Sequence, residues 1–244
     1  MKSLRRHQQD WEALGRVDPL WAVLTSPSRR HGRWDTAEFF ATGTRDIAAL
    51  METARTLRIP QRHDNALDFG CGVGRLTRAL AGHFAQCVGV DISAPMLARA
   101  EELNLECERC RFVLNTTGDL RTFEAGSFDL IYSKYVLQHL PGRAVVRAYV
   151  SEFMRVLRPG GLLVFQLPNK IGLLHRLQPR RRLYALLRRL GFDERMLLER
   201  LELTPMRMGF MGEPAVTRMI SELGGTVVRV ERLSAVEHTY FVSR

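Results

Sequence analysis

With 244 residues, 45% of them hydrophobic and 25% charged, the chain has an ordinary globular composition and can bury a full core, as one α/β domain with additions or two small domains. Its formal net charge of +10 suits nucleic acid, anionic lipid or acidic small molecules without choosing among them, and an Arg-rich composition with no functional message is equally compatible. No apolar run approaches the roughly 18 residues that cross a bilayer, and MKSLRRHQQDWEALGR has no apolar stretch behind its basic residues, so the expected setting is cytoplasmic.

The first 35 residues read as irregular and aromatic, with Trp11, Trp21, Trp34, Pro19 and Pro27. WDTAEFFATGTRDIAALMETARTL follows as a helix that Thr36 can cap, with an interruption expected near Gly43. From Ala66 strands and helices alternate. ALDFGC, CVGVD, CRFVLNT, SFDLIYS and GLLVFQLP are short apolar strands, and VGRLTRALAGHF, PMLARAEELN and AVVRAYVSEFMRVL are the helices among them. That pattern predicts a mostly parallel, doubly wound sheet covered on both faces. Residues 169–212 are rich in Arg and Leu; then EPAVTRMISELGG reads as a helix, and TVVRVERL and HTYFVSR as two further strands. About four residues separate these two, too few for a crossover, so the last strand should run antiparallel.

Four cysteines occur, Cys71, Cys87, Cys107 and Cys110. The last two form CERC, but no second pair or histidine cluster completes a metal site, so they are expected to be structural and no metal is expected.

LDFGCGVGRLTRAL joins the first strand to a helix through Gly70, Gly72 and Gly74. A dinucleotide fingerprint wants its third glycine where Arg75 stands, so the loop suits a ligand without a pyrophosphate. Glycines let the backbone approach a ligand, and the helix N-terminus favours an anion such as a carboxylate. Asp91 ends the second strand and can accept from both hydroxyls of a ribose; Asp119, after the third, can accept from an adenine amino group. Either acid can instead be an ordinary cap or turn residue. Adenine, ribose and a small zwitterion together describe S-adenosylmethionine.

LDFGCGVGRLT, VGVDIS, GDLRTFEAGSFDLIYSKYVLQHLP and LRPGGLLVFQLP resemble, in order, the motifs of class I S-adenosylmethionine-dependent methyltransferases over about residues 60–168. The likeness is to the small-molecule type, such as enzymes of ubiquinone and menaquinone biosynthesis. It implies a Rossmann-like seven-stranded sheet of order 3-2-1-4-5-7-6 with the seventh strand antiparallel. It further implies an N-terminal lid over residues 1–60 and a methyltransferase domain over 61–244, with 169–212 a helical cap. Carried over, Asp68, Gly70, Cys71, Gly72 and Gly74 line the methionine end; Asp91 and Ile92 hold the ribose and one adenine face. Asp119 and Leu120 read the adenine edge, Ser133 and Tyr135 lie near the sulfonium, and Met96 belongs to the cofactor-binding set.

Methyl transfer to a poorly ionised hydroxyl or a protonated amine needs a base, and His139 in YVLQHLP is the candidate, with Tyr135 beside it. A histidine bonded to a main-chain carbonyl is the alternative. No [DNS]-P-P-[YFW] follows the fourth strand and no cysteine follows residue 110, which argues against methylation of DNA bases. The expected acceptor is a small molecule, glycan or lipid-linked compound methylated on oxygen or nitrogen. An RNA methyltransferase using the basic insertion and a non-catalytic cofactor-binding protein are the other readings. In the insertion, Arg176, Arg180, Arg181, Arg182, Arg188 and Arg189 interleave with Leu183, Tyr184, Leu186, Leu187 and Leu190. The leucines are expected to pack inward and the arginines to face solvent, an anionic acceptor or an anionic membrane surface.

Overall fold

The computed structural model describes residues 2–244. Seven strands form one sheet: β1 (Asn65–Phe69), β2 (Gln86–Asp91), β3 (Cys110–Leu114), β4 (Phe128–Ser133), β5 (Leu157–Pro168), β6 (Thr226–Arg232) and β7 (Glu237–Ser243). Their order is β3-β2-β1-β4-β5-β7-β6. β1 to β5 pair in parallel, and β7 runs antiparallel to β5 and β6. The expected order and the reversed last strand are therefore both present.

Alternation along the central strands sorts the core into two layers. Leu163, Phe165 and Leu167 of β5 and Tyr240 and Val242 of β7 face α6 (Arg143–Val156) and α10 (Glu213–Glu222). Leu162, Val164 and Phe241 point the other way, toward α3 (Thr36–Leu57) and α4 (Arg75–Leu80). α5 (Ala94–Leu103) lies between β2 and β3 in sequence; Ser93 caps it, its hydroxyl accepting from the Met96 N–H at 3.4 Å.

The N-terminal region differs from its expectation. Residues 2–17 form one helix, α1 (Lys2–Val17), and Pro19 opens a short α2 (Pro19–Val23) capped by Asp18. Leu4, His7, Trp11 and Leu14 recur at helical spacing, and the polar residues between are good helix formers, which outweighs the suggestion of irregularity made by the tryptophans and prolines. α3 is capped by Asp35, one residue before Thr36, and continues through Gly43 without interruption. A Cβ at Gly43 would lie 2.5 Å from the Arg75 carbonyl oxygen, so this glycine marks a close approach between α3 and α4.

Residues 169–212 carry α7 (Leu173–Leu177), α8 (Pro179–Arg189) and α9 (Glu194–Glu199). Tyr184, Leu197, Leu198 and Leu203 join Ala13, Leu14 and Trp21 in a third apolar cluster, which attaches the insertion to α1 and α2. The expected inward leucine face forms only in part, through Tyr184 and Leu187, which pack on this third cluster. Leu173, Leu174, Leu186 and Leu190 are 71%, 72%, 53% and 65% exposed, and Arg181 joins Tyr184 and Leu187 on the inner face of α8. Cys107 and Cys110 are joined as a disulfide at the entry to β3, with Cα atoms 5.4 Å apart.

Candidate active site

The carboxyl ends of β1, β2 and β4 meet under α1 and α2. The glycine loop after β1 is stitched to β2, because the N–H groups of Gly70 and Cys71 both donate to the Val90 carbonyl, at 2.7 and 3.0 Å. Gly70 has φ +78°, and a Cβ there would collide with Val136 after β4; a Cβ at Gly72 would lie 2.5 Å from Val23 of α2. Both positions therefore require glycine for a turn closed on two sides.

Asp91 faces this loop. One of its oxygens accepts from the Gly72 N–H at 2.8 Å, the other from the Ser93 N–H at 2.9 Å. A carboxylate has about four acceptor sites, so with the Ile92 N–H also bearing on it this one still keeps acceptor capacity for a ligand. Burial pushes the Asp91 carboxyl up, and these main-chain donors oppose the rise.

Arg75 takes the place of a dinucleotide-loop glycine, and its side chain turns away from the ligand side. It is 2% exposed and donates to Asp46 at 2.7 Å and Thr42 at 3.1 Å, both on α3. Lys134, after β4, takes the other Asp46 oxygen at 2.8 Å. Burial opposes ionisation of Asp46, but the hydrogen bonds and charges of Lys134 and Arg75 outweigh it and hold the carboxyl below its usual range. One carboxylate thus ties α3 to both sides of the loop.

The space so enclosed holds about 700 Å³ free of protein atoms, part of it open to solvent. Of the residues expected at the site, Gly70, Gly72, Asp91, Ile92, Met96, Tyr135 and His139 line it. Asp68, Cys71, Gly74, Asp119, Leu120 and Ser133 do not. Asp68 is buried behind the loop, accepts from the Thr77 hydroxyl at 2.7 Å, and is pushed by burial up to about 6. Burial also raises the Cys71 thiol. A Cβ at Gly74 would meet Asn104 and Phe112 at 2.7 Å, so this glycine serves packing. Ser133 donates to the Phe69 carbonyl at 3.1 Å. The Asp119 carboxylate turns to Arg121, 3.0 Å away, and Leu120 is core, its N–H donating to Glu152 at 2.8 Å. Asn115, just after β3, lines the cavity instead and donates to the Asp119 carbonyl at 2.9 Å.

Sequence reasoning missed His7, Trp11, Asn115, Lys134 and Tyr149, all in the wall. Trp11 meets His7 and His139 edge-on, with ring centres 6.2 and 5.4 Å apart. His139 Nδ1 is bonded to the Arg207 carbonyl, which can only accept, so Nδ1 carries the hydrogen and Nε2 the lone pair. Burial lowers the His139 imidazole and keeps it neutral. His7 is pushed down to about 4, first by burial, then by His139, Arg207 and Arg181. Tyr135 has φ +61°, its ring 5.2 Å from the Lys134 ammonium, and burial raises its phenol. Arg181 donates to the Pro205 carbonyl at 3.2 Å and does not line the cavity. Among the described residues no cluster of three His, Cys, Asp or Glu side chains could hold a metal, and no helix is long and apolar enough to cross a membrane.

Residues 67–165 match the family described as "Methyltransferase domain". Over 127 residues the chain is 40% identical to trans-aconitate 2-methyltransferase of Deinococcus radiodurans, covering 51% of this chain and 43% of that one. It is 28% identical over 159 residues to the chloroplastic tocopherol O-methyltransferase of Arabidopsis thaliana, covering 59% and 44%. The matched segments thus span less than half of these relatives' lengths. Among solved structures, magnesium protoporphyrin IX methyltransferase from Synechocystis, with bound SAH, superposes with a TM-score of 0.64 at 17% identity, over 98% of this chain and 99% of that one.

Proposed function

From a chain whose residues 67–165 match a methyltransferase domain, we propose that the protein transfers a methyl group from S-adenosylmethionine to an oxygen or nitrogen of a small-molecule acceptor. The observation that carries this reading is Asp91. Its oxygens are anchored by the Gly72 and Ser93 N–H groups, and the carboxylate keeps acceptor capacity beside the cavity it lines. The donor set fits the cofactor: Asp91 takes the ribose hydroxyls, Asn115 faces the adenine edge, Ile92 and Met96 hold its apolar faces, and the glycine loop admits the amino-acid end. When bound, S-adenosylmethionine supplies an electrophilic methyl on a sulfonium that departs as a neutral thioether.

The chain's own residues orient the acceptor and manage its proton. Trp11, Val23 and Val136 line the cavity with apolar surface. His139, fixed by Arg207, presents Nε2 as the base for an acceptor hydroxyl or ammonium, and Tyr135 donates from its neutral phenol. The relatives are named for trans-aconitate and tocopherol, both small molecules, which supports the acceptor class. Calorimetry with S-adenosylhomocysteine tests the reading. Asp91→Ala should lose about 2–3 kcal/mol, or roughly 30- to 150-fold in affinity, and unchanged affinity would refute the assignment.

The exposed leucines favour a lipid-linked acceptor met at an anionic membrane surface. Leu173, Leu174, Leu186 and Leu190 stand out among Arg180, Arg182 and Arg189, an arrangement suited to lying on such a surface. Co-sedimentation with phosphatidylglycerol vesicles but not phosphatidylcholine vesicles is expected, and Leu186→Ser with Leu190→Ser should abolish it. Equal sedimentation of the double variant would remove the membrane from the proposal.

A further inference from the structure

A second concavity lies behind the His139 wall. Its floor is apolar, built from Leu140, Val146 and Leu167, and Leu140 also lines the glycine-loop cavity. Its lining includes Arg143 on α6, Arg176 on α7 and Arg207 ahead of α10, and no aspartate or glutamate lines it. None of the three is ion-paired among the described residues, whereas Arg147, one turn along α6 from Arg143, pairs with Glu222 at 2.7 Å.

The arrangement is held in place. The guanidinium carbons of Arg143 and Arg176 lie 5.6 and 5.0 Å from the centre of the Phe210 ring, close enough for both cations to rest on it. The segment bearing Arg207 and Phe210 is pinned at three points. Gly209 N–H donates to the Gln138 carbonyl at 2.6 Å, Met211 N–H to the Pro168 carbonyl at 2.9 Å, and the Gln178 amide to the Met208 carbonyl at 2.7 Å. Arg207 also bears the carbonyl that orients His139, so one residue belongs to both spaces.

Two guanidinium groups gathered on one ring, with no acid lining the pocket, repel one another unless an anion joins them. Guanidinium forks match carboxylate and phosphate oxygens two at a time. The apolar floor adds a demand that a bare ion does not meet. We propose that this pocket binds the carboxylate or phosphate group of an organic anion with an apolar body, and that this anion is the methyl acceptor. Its charged end rests between Arg143 and Arg176, and its apolar body lies against Leu140, the residue this pocket shares with the glycine-loop cavity. Naming the ligand as the acceptor rests on the methyltransferase reading; the chemistry of the pocket does not.

The test is calorimetry on the full chain saturated with S-adenosylhomocysteine. Hexanoate and hexyl phosphate are the probes, with hexanol and inorganic phosphate as controls. At least one of the two organic anions should bind at least tenfold more tightly than both controls, and the tighter of the two identifies the anionic group. Arg143→Gln with Arg176→Gln should weaken that probe at least tenfold and leave S-adenosylhomocysteine affinity unchanged, which also shows that the variant is folded. Failure of both probes, inorganic phosphate binding as well as hexyl phosphate, or an unweakened double variant would each overturn the pocket. Probe binding by a protein that takes up no S-adenosylhomocysteine would overturn the methyltransferase reading and the acceptor assignment, while the anion pocket would stand.

Discussion

Replacing Asp46 with asparagine tests whether the Arg75 ion pair organises the site. Asparagine keeps the size of the side chain and removes the one carboxylate that Arg75 and Lys134 share. Arg75 is 2% exposed and then becomes a buried cation without a counter-charge. Breaking a buried pair from one side costs about 3–5 kcal/mol. Asp46 and Lys134 are 26% and 17% exposed, so water recovers part of that, and a loss of about 3 kcal/mol is expected. Against a typical total of roughly 5–15 kcal/mol this is a large fraction, readable as a lower urea midpoint at unchanged slope. Adding Arg75→Met removes the stranded guanidinium, so the double variant should be more stable than Asp46→Asn alone. Acid titration supplies a second readout. The folded carboxyl lies below its usual range, so its contribution is complete above the unfolded value and disappears as pH falls through the folded one. The wild-type and Asp46→Asn stability curves should therefore converge at acid pH. A loss under about 1 kcal/mol, or a double variant no more stable than the single one, would refute the assignment of Asp46 as the tie between α3 and the loop.

Two further outcomes follow from the histidines. His7 is held down at about 4 against an ordinary 6.5, so the unfolded chain takes up a proton between those values and the folded one does not. Stability should fall by about 3 kcal/mol as pH drops from 6.5 to 4, and His7→Phe should flatten that slope in denaturant midpoints measured across the range. If Nε2 of His139 is the base, His139→Ala should lower methyl transfer about 100-fold, followed as labelled methyl entering a small-molecule extract, without loss of S-adenosylhomocysteine affinity. Transfer within a few-fold of wild type would leave orientation alone to carry the reaction.

The sheet was legible because its signals are local: short apolar strands, glycine punctuation and a link too short to cross over. The same locality made Gly70, Gly72 and Asp91 readable, since each sits at a strand end where chain order fixes its position. Asp119 shows where that reasoning stops. It lies four residues from Asn115 in one loop, and its carboxylate is taken by the Thr117 hydroxyl and by the main chain and side chain of Arg121, while Asn115 lines the cavity. His7, Trp11 and Lys134 enter the wall through contacts between distant segments, which no spacing encodes. In α8 arginine and leucine alternate so evenly that either face can be the inner one, and the choice falls to Tyr184 and to what α1 and α9 offer it.

Gly43 and Asp46 lie three residues apart on α3 and so share a face of the helix. One admits the Arg75 backbone and the other neutralises the Arg75 side chain. Sliding α3 by one residue would drive Thr42 or Thr44 into the Arg75 carbonyl and carry the carboxylate away from its cation. The two residues therefore act like the bit of a key, accepting a single register and rejecting its neighbours. Insertions or deletions before residue 43 can change the length of the roof without moving it on the sheet. One between Gly43 and Asp46 would unseat both contacts at once, and with them the alignment of Lys134 in the cavity wall.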